Sequence, residues 1–139
     1  LVMWRQNQGI HLPDSCPAAI RETICATQRC RVVLATPGFF EKGFRPTWLC
    51  SERAGVTPKL TAIACQRYQT VSGWDFETGT AKPSHRLAPG GSVYFHSLET
   101  SDQVKINNWI DATWLRTVSD NEQWRRDGFG VALLGTGFA

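Results

Sequence analysis

The chain has 139 residues, 42% hydrophobic and 19% charged, with a formal net charge of +3. These values fit one folded domain with its own hydrophobic core and exclude a disordered, highly charged tail. No apolar run reaches the roughly eighteen residues that a membrane-spanning helix needs, and no internal repeat or low-complexity segment is present. The basic residues are eleven Arg and four Lys, and the Arg fork suits phosphate and stacks on rings. Six Trp, seven Phe and two Tyr supply stacking surfaces as well as core. The cysteines at 16, 25, 30, 50 and 65 form no C-x-x-C pair. They read as reduced, buried thiols of a cytosolic protein, although spacing permits a Cys16–Cys25 or Cys25–Cys30 bridge.

Residues 1–29 read as a poorly defined lead-in, the remnant of a preceding domain or an edge element. No secretory signal is read in the first eight residues. A first residue Leu1 and a lone Met3 suggest a fragment. Pro13 to Pro17 mark a turn, and Ala18 to Ala26 form a short helix or an edge strand. Arg31 to Ala35 is a β-branched run that predicts a buried strand, ended by Thr36-Pro37-Gly38. Phe39 to Trp48 is a loop with at most one helical turn. Lys59 to Val71 predicts a long central strand. Thr78-Gly79-Thr80 marks a hairpin tip, and Gly91 to Leu98 returns as an antiparallel partner of the long strand.

Thr100 to Gln103 has the capping-box pattern. Ile106, Trp109, Ile110, Thr113, Trp114 and Val118 then recur at helical spacing. Ser119 to Glu122 repeats the box, so a helical turn runs to Arg126, with Gly128 as its stop. The chain closes through an apolar strand bounded by Gly128, Gly130, Gly135 and Gly137. The order predicts an α+β, ferredoxin-like split βαβ domain over 30–139, with an antiparallel sheet, a weak first helix and a glycine-rich loop.

Four segments carry a resemblance. They are Val33-Leu34-Ala35-Thr36-Pro37-Gly38-Phe39-Phe40 with Gly43-Phe44-Arg45-Pro46, then Ser72-Gly73-Trp74-Asp75, then Arg86-Leu87-Ala88-Pro89-Gly90-Gly91-Ser92-Val93-Tyr94-Phe95, and Gly128-Phe129-Gly130 through Gly135. In this order they resemble the RAMP-superfamily proteins that form the third subunit of the Cmr complex in type III-B CRISPR systems. The resemblance implies a noncatalytic subunit built from ferredoxin-like, RRM-related domains, and it implies no cofactor. It also implies that the subunit cradles the 5′ tag of the guide RNA (crRNA) and contacts the backbone subunits and the large polymerase-like subunit. Family members carry an amino-terminal half as well, so the chain reads as the carboxy-terminal part.

The candidate RNA-binding residues fall in four groups. Gly128, Gly130, Gly135 and Gly137 leave backbone N–H groups open to phosphate, or else permit a bulge and close packing. Arg125 and Arg126 beside them are phosphate contacts, or a solvated helix end. Lys82, His85 and Arg86 form a basic approach to Pro89-Gly90-Gly91, or a polar hairpin arm. Phe39, Phe40, Arg45 and Trp48 offer aromatic stacking with a cation, or a hydrophobic plug. His11, His85 and His96 lack metal-ligand spacing, and Asp102, Asp111 and Asp120 read as caps and solvated face. Two alternatives stay open. One is a metal-independent endoribonuclease with His85 as general base on a ribose 2′-OH. The other is a domain that contacts only protein.

Overall fold

The computed structural model describes residues 13–137. The expectations that concern Leu1, Met3 and His11 lie outside the described residues. Helix α1 (Ala18–Thr27) precedes strand β1 (Arg29–Leu34). Strands β2 (Pro58–Ala64), β3 (Gln69–Val71), β4 (Trp74–Asp75), β5 (Thr80–Ala81), β6 (His85–Leu87) and β7 (Val93–Leu98) follow. Helix α2 (Gln103–Thr113), the short helix α3 (Glu122–Arg126) and strand β8 (Ala132–Gly135) complete the order. The fold is α+β, with a four-stranded antiparallel sheet in the order β2-β7-β1-β8 and two small two-stranded sheets, β3-β6 and β4-β5.

The period-two pattern decides which strand positions are inside. Cys30, Val32 and Leu34 of β1, Tyr94, His96 and Leu98 of β7, and Ala132 and Leu134 of β8 are buried. The apolar ones among them join Ile24 of α1 and Ile106, Trp109 and Ile110 of α2 in one core. Cys16 belongs to that core too, so the described part of the lead-in packs with the rest of the domain. Arg21 of α1 reaches Asp111 of α2 in an ion pair and donates to Asn107 Oδ1 at 2.9 Å. All five cysteines are free thiols. Burial pushes the Cys30 thiol up to about 12, which keeps it protonated and apolar in behaviour.

Several expectations need correction. The single central strand over Lys59 to Val71 is two strands in different sheets. Gln66, Arg67 and Tyr68 are exposed and break the run, and β2 is an edge strand with an irregularity between Leu60 and Ala62. No α-helix forms between β1 and β2; that connection is turns and isolated bridges. The α2 cap is Asp102, whose carboxylate accepts from the N–H groups of Val104 and Lys105. The helix stops at Thr113 rather than Val118: Trp114 leaves the helical region with ψ 123°, and Leu115 follows with a left-handed φ of 54°. The α3 cap is Asn121 rather than Ser119. Among the described residues, no helix is long and apolar enough to cross a membrane.

Candidate nucleic-acid interface

The glycine segment is the first test of the site. Gly128 ends α3 with φ 83°. Its N–H donates to Arg125 O at 3.2 Å, and the Phe129 N–H donates to Trp124 O at 2.9 Å. That pair of bonds is a Schellman cap, and the Phe129 and Trp124 rings supply its hydrophobic contact, with centroids 4.6 Å apart. The Gly130 N–H donates to Pro37 O at 2.7 Å. A Cβ at Gly130 would lie 2.8 Å from Ser119 Oγ and 3.0 Å from Ser119 N. Two hydroxyls lock the segment to the loop after β1. Thr36 Oγ1 donates to Gly128 O and accepts from the Val131 N–H, while Ser119 Oγ donates to Phe129 O and accepts from the Phe39 N–H. The amides of Gly128 and Gly130 are therefore bonded within the protein and do not face a ligand. Gly135 lies in β8 opposite Arg31, and Gly137 is exposed with φ 93°.

The two arginines beside the segment are also engaged. Arg125 donates through Nη1 to Ser119 O at 2.6 Å and Asp120 O at 2.9 Å. Its guanidinium carbon lies 4.4 Å from the centre of the Trp48 ring, and that of Arg53 lies 3.6 Å from the same ring. Burial and the nearby Arg125 bring the Arg53 guanidinium down to about 10, still charged at neutral pH. Trp48 is thus occupied by the protein's own cations. Arg126 pairs with Glu122 one turn earlier at 2.7 Å and is exposed.

The aromatic group divides. Phe40 is buried, edge-on to Tyr94 at 5.7 Å, and belongs to the core rather than to a stacking surface. Phe39 stacks on Trp124, and His85 stands edge-on to both rings at 5.5 Å and 5.3 Å. No hydrogen bond or ion pair orients the His85 ring among the described residues, so ring packing fixes it. Lys82 is exposed at the base of the β4–β5 hairpin, where its N–H donates to Gly73 O at 2.8 Å. Arg45 is exposed and bridges Lys42 across the turn at Gly43. At the end of the basic arm, the Gly91 N–H donates to Leu34 O at 2.7 Å.

Of the expected residues, Arg86 lines an open groove that also holds exposed aromatic rings. A groove of about 400 Å³ runs between the turn at Gly43 and the β2–β3 connection. Phe44, Arg67, Tyr68 and Arg86 line it, with Cys65 and Leu87 beneath. Phe44 is 59% exposed and Tyr68 51%. The Arg86 guanidinium lies 4.6 Å over the Tyr68 ring. Exposed π-faces beside guanidinium groups can stack bases and hold phosphates together. Sequence reasoning missed Phe44, Arg67 and Tyr68. The signal was available, since Gln66-Arg67-Tyr68 is too polar for the centre of a buried strand.

Asp120 is the other residue the sequence misplaced. Its carboxylate is half-buried and accepts from the N–H groups of Glu41 at 3.0 Å and Trp48 at 2.5 Å. It pins the connection after β1 to the segment before α3. No group of three or more His, Cys, Asp or Glu side chains able to hold a metal occurs among the described residues.

A comparison with curated proteins returned no match. The family model described as CRISPR-associated protein (Cas_Cmr3) matches residues 1–137. With nearly the whole chain matched, the protein belongs to the Cas_Cmr3 family of type III-B CRISPR-associated proteins and is a subunit of a Cmr complex.

Proposed function

We propose that the chain is a noncatalytic RNA-binding and scaffolding subunit that holds the 5′ tag region of the guide RNA and contacts neighbouring subunits, the large polymerase-like subunit among them. The observation that carries the RNA reading is the groove in which exposed Phe44 and Tyr68 stand beside Arg67 and Arg86. Splayed bases stack on the rings, and the guanidinium groups take the phosphates. This moves the expected contact away from the glycine segment, where the Gly128 and Gly130 amides are bonded internally. The strand order supports a ferredoxin-like reading of the fold. Taking the main-sheet strands in chain order as first to fourth, they lie fourth-first-third-second across the sheet. Helix α1, placed before β1, packs beside α2 where the crossover helix of that fold would lie. His85, wedged among rings, supports packing rather than proton transfer.

The test is a titration of labelled guide RNA in chelator, read on native and denaturing gels. Tyr68→Ala and Arg86→Ala each weaken binding by about tenfold, and Lys82→Ala leaves it nearly unchanged. The RNA stays intact on the denaturing gel. Parent-like affinity in both groove variants overturns the groove, and cleavage overturns the noncatalytic reading.

A further inference from the structure

The β4–β5 hairpin is the most exposed apolar feature among the described residues. Phe76 at its tip is 91% exposed and Trp74 is 53% exposed. The tip is nonetheless ordered by its own bonds. The Asp75 carboxylate accepts from the N–H groups of Glu77 at 2.9 Å and Thr78 at 3.3 Å. The Thr78 and Thr80 hydroxyls bond at 2.8 Å, and Gly79 turns the chain with φ 63°. At the base, Ser72 Oγ donates to Lys82 O, and the Lys82 N–H donates to Gly73 O. A large aromatic on a pre-ordered turn loses little freedom on docking, and such residues anchor protein interfaces.

The charge at the tip selects the class of partner. Asp75 and Glu77 flank Phe76 directly, and Lys82, the one Lys or Arg in residues 72–84, sits at the hairpin base. Two carboxylates repel a phosphodiester chain, unlike Arg67 and Arg86 around the groove. They complement a socket rimmed by Lys or Arg.

We propose that the hairpin tip is a protein-docking finger, in which Phe76 and Trp74 enter an apolar socket with a basic rim on a neighbouring protein subunit. The inference rests on the scaffolding half of the reading above and is independent of the groove.

The test uses the Cmr complex assembled from the full-length protein, its partner subunits and guide RNA. Phe76→Ser and Glu77→Lys are compared with the parent for subunit association, guide-RNA affinity and melting temperature. Both variants weaken association with the neighbouring subunits by about tenfold or more. RNA affinity and melting temperature stay at the parent values, since both side chains are exposed. Parent-like assembly in both variants overturns the finger. So does lost RNA affinity with protein association retained, which marks the hairpin as an RNA element. If Phe76→Ser lowers the melting temperature, Glu77→Lys alone decides by the same criterion. Failure of the groove shows instead in Tyr68→Ala, which leaves the finger's readout untouched.

Discussion

The Phe39 ring lies against the Trp124 indole, with centroids 5.2 Å apart and planes 12° from parallel. Phe39 leaves the sheet just after β1, and Trp124 sits on α3, so the stack fastens the short helix to the connection. His85 and Phe129 close the cluster edge-on. In a double-mutant cycle with Phe39→Leu and Trp124→Leu, the coupling energy comes out at about 0.5–1.5 kcal/mol in urea unfolding. Strictly additive losses would show that the stack contributes nothing beyond area.

Gly130 and Gly43 have the same φ of 79°, but only Gly130 is hemmed in. At Gly43 nothing lies within 4 Å of an added Cβ. Gly43→Ala therefore costs about 1–2 kcal/mol, the left-handed backbone term alone. Gly130→Ala costs about 2 kcal/mol more, because the methyl meets the Ser119 main chain. Equal midpoints for the two variants would refute the close approach at Gly130.

Asp120→Ala leaves the Glu41 and Trp48 N–H groups without their acceptor. The expected loss is about 2–4 kcal/mol, with an unchanged denaturant slope. Asp120→Asn keeps one carbonyl oxygen and loses less. A variant as stable as the parent would return Asp120 to the solvated face that its sequence suggests.

His96 gives the fold a pH dependence. It is buried, with Nδ1 3.2 Å from Tyr94 O and Nε2 3.8 Å from Cys50 Sγ. The carbonyl only accepts, so Nδ1 carries the proton of a neutral ring. Burial brings its pKa down from 6.5 to about 4, and the Tyr94 carbonyl opposes only part of that. The unfolded chain then binds the proton more readily than the folded one. Stability from this group is present above pH 6.5 and is lost as the pH falls toward 4. The loss is on the order of 3 kcal/mol near pH 4. Urea unfolding of the parent and His96→Gln between pH 7 and pH 4.5 measures it as the difference in slope. Parallel curves would remove His96 from the acid sensitivity.

Local patterns carried much of the architecture. The β-branched run after Arg31, the alternation in β7 and the spacing of Ile106, Trp109 and Ile110 each locate an element, because each records which side chains face the core. The sequence was less legible wherever a side chain bonds to distant backbone. Ser119 looks like a helix cap, but its hydroxyl instead bridges Phe39 and Phe129. Gly128 and Gly130 suggest open amides, yet their partners, Arg125 and Pro37, are fixed by the cap and by the packing of the loop. The groove was hidden for a similar reason. Phe44, Arg67, Tyr68 and Arg86 meet only once β2 and β3 separate into different sheets.

Strand β1 pairs on one side with β7 and on the other with β8, and both come much later in the chain. During synthesis it waits with two unsatisfied edges, open to mispairing with other chains until both distant segments have emerged. Expression as two pieces split within the exposed β2–β3 connection should leave the first piece aggregation-prone. Supplying the second piece in trans should rescue it.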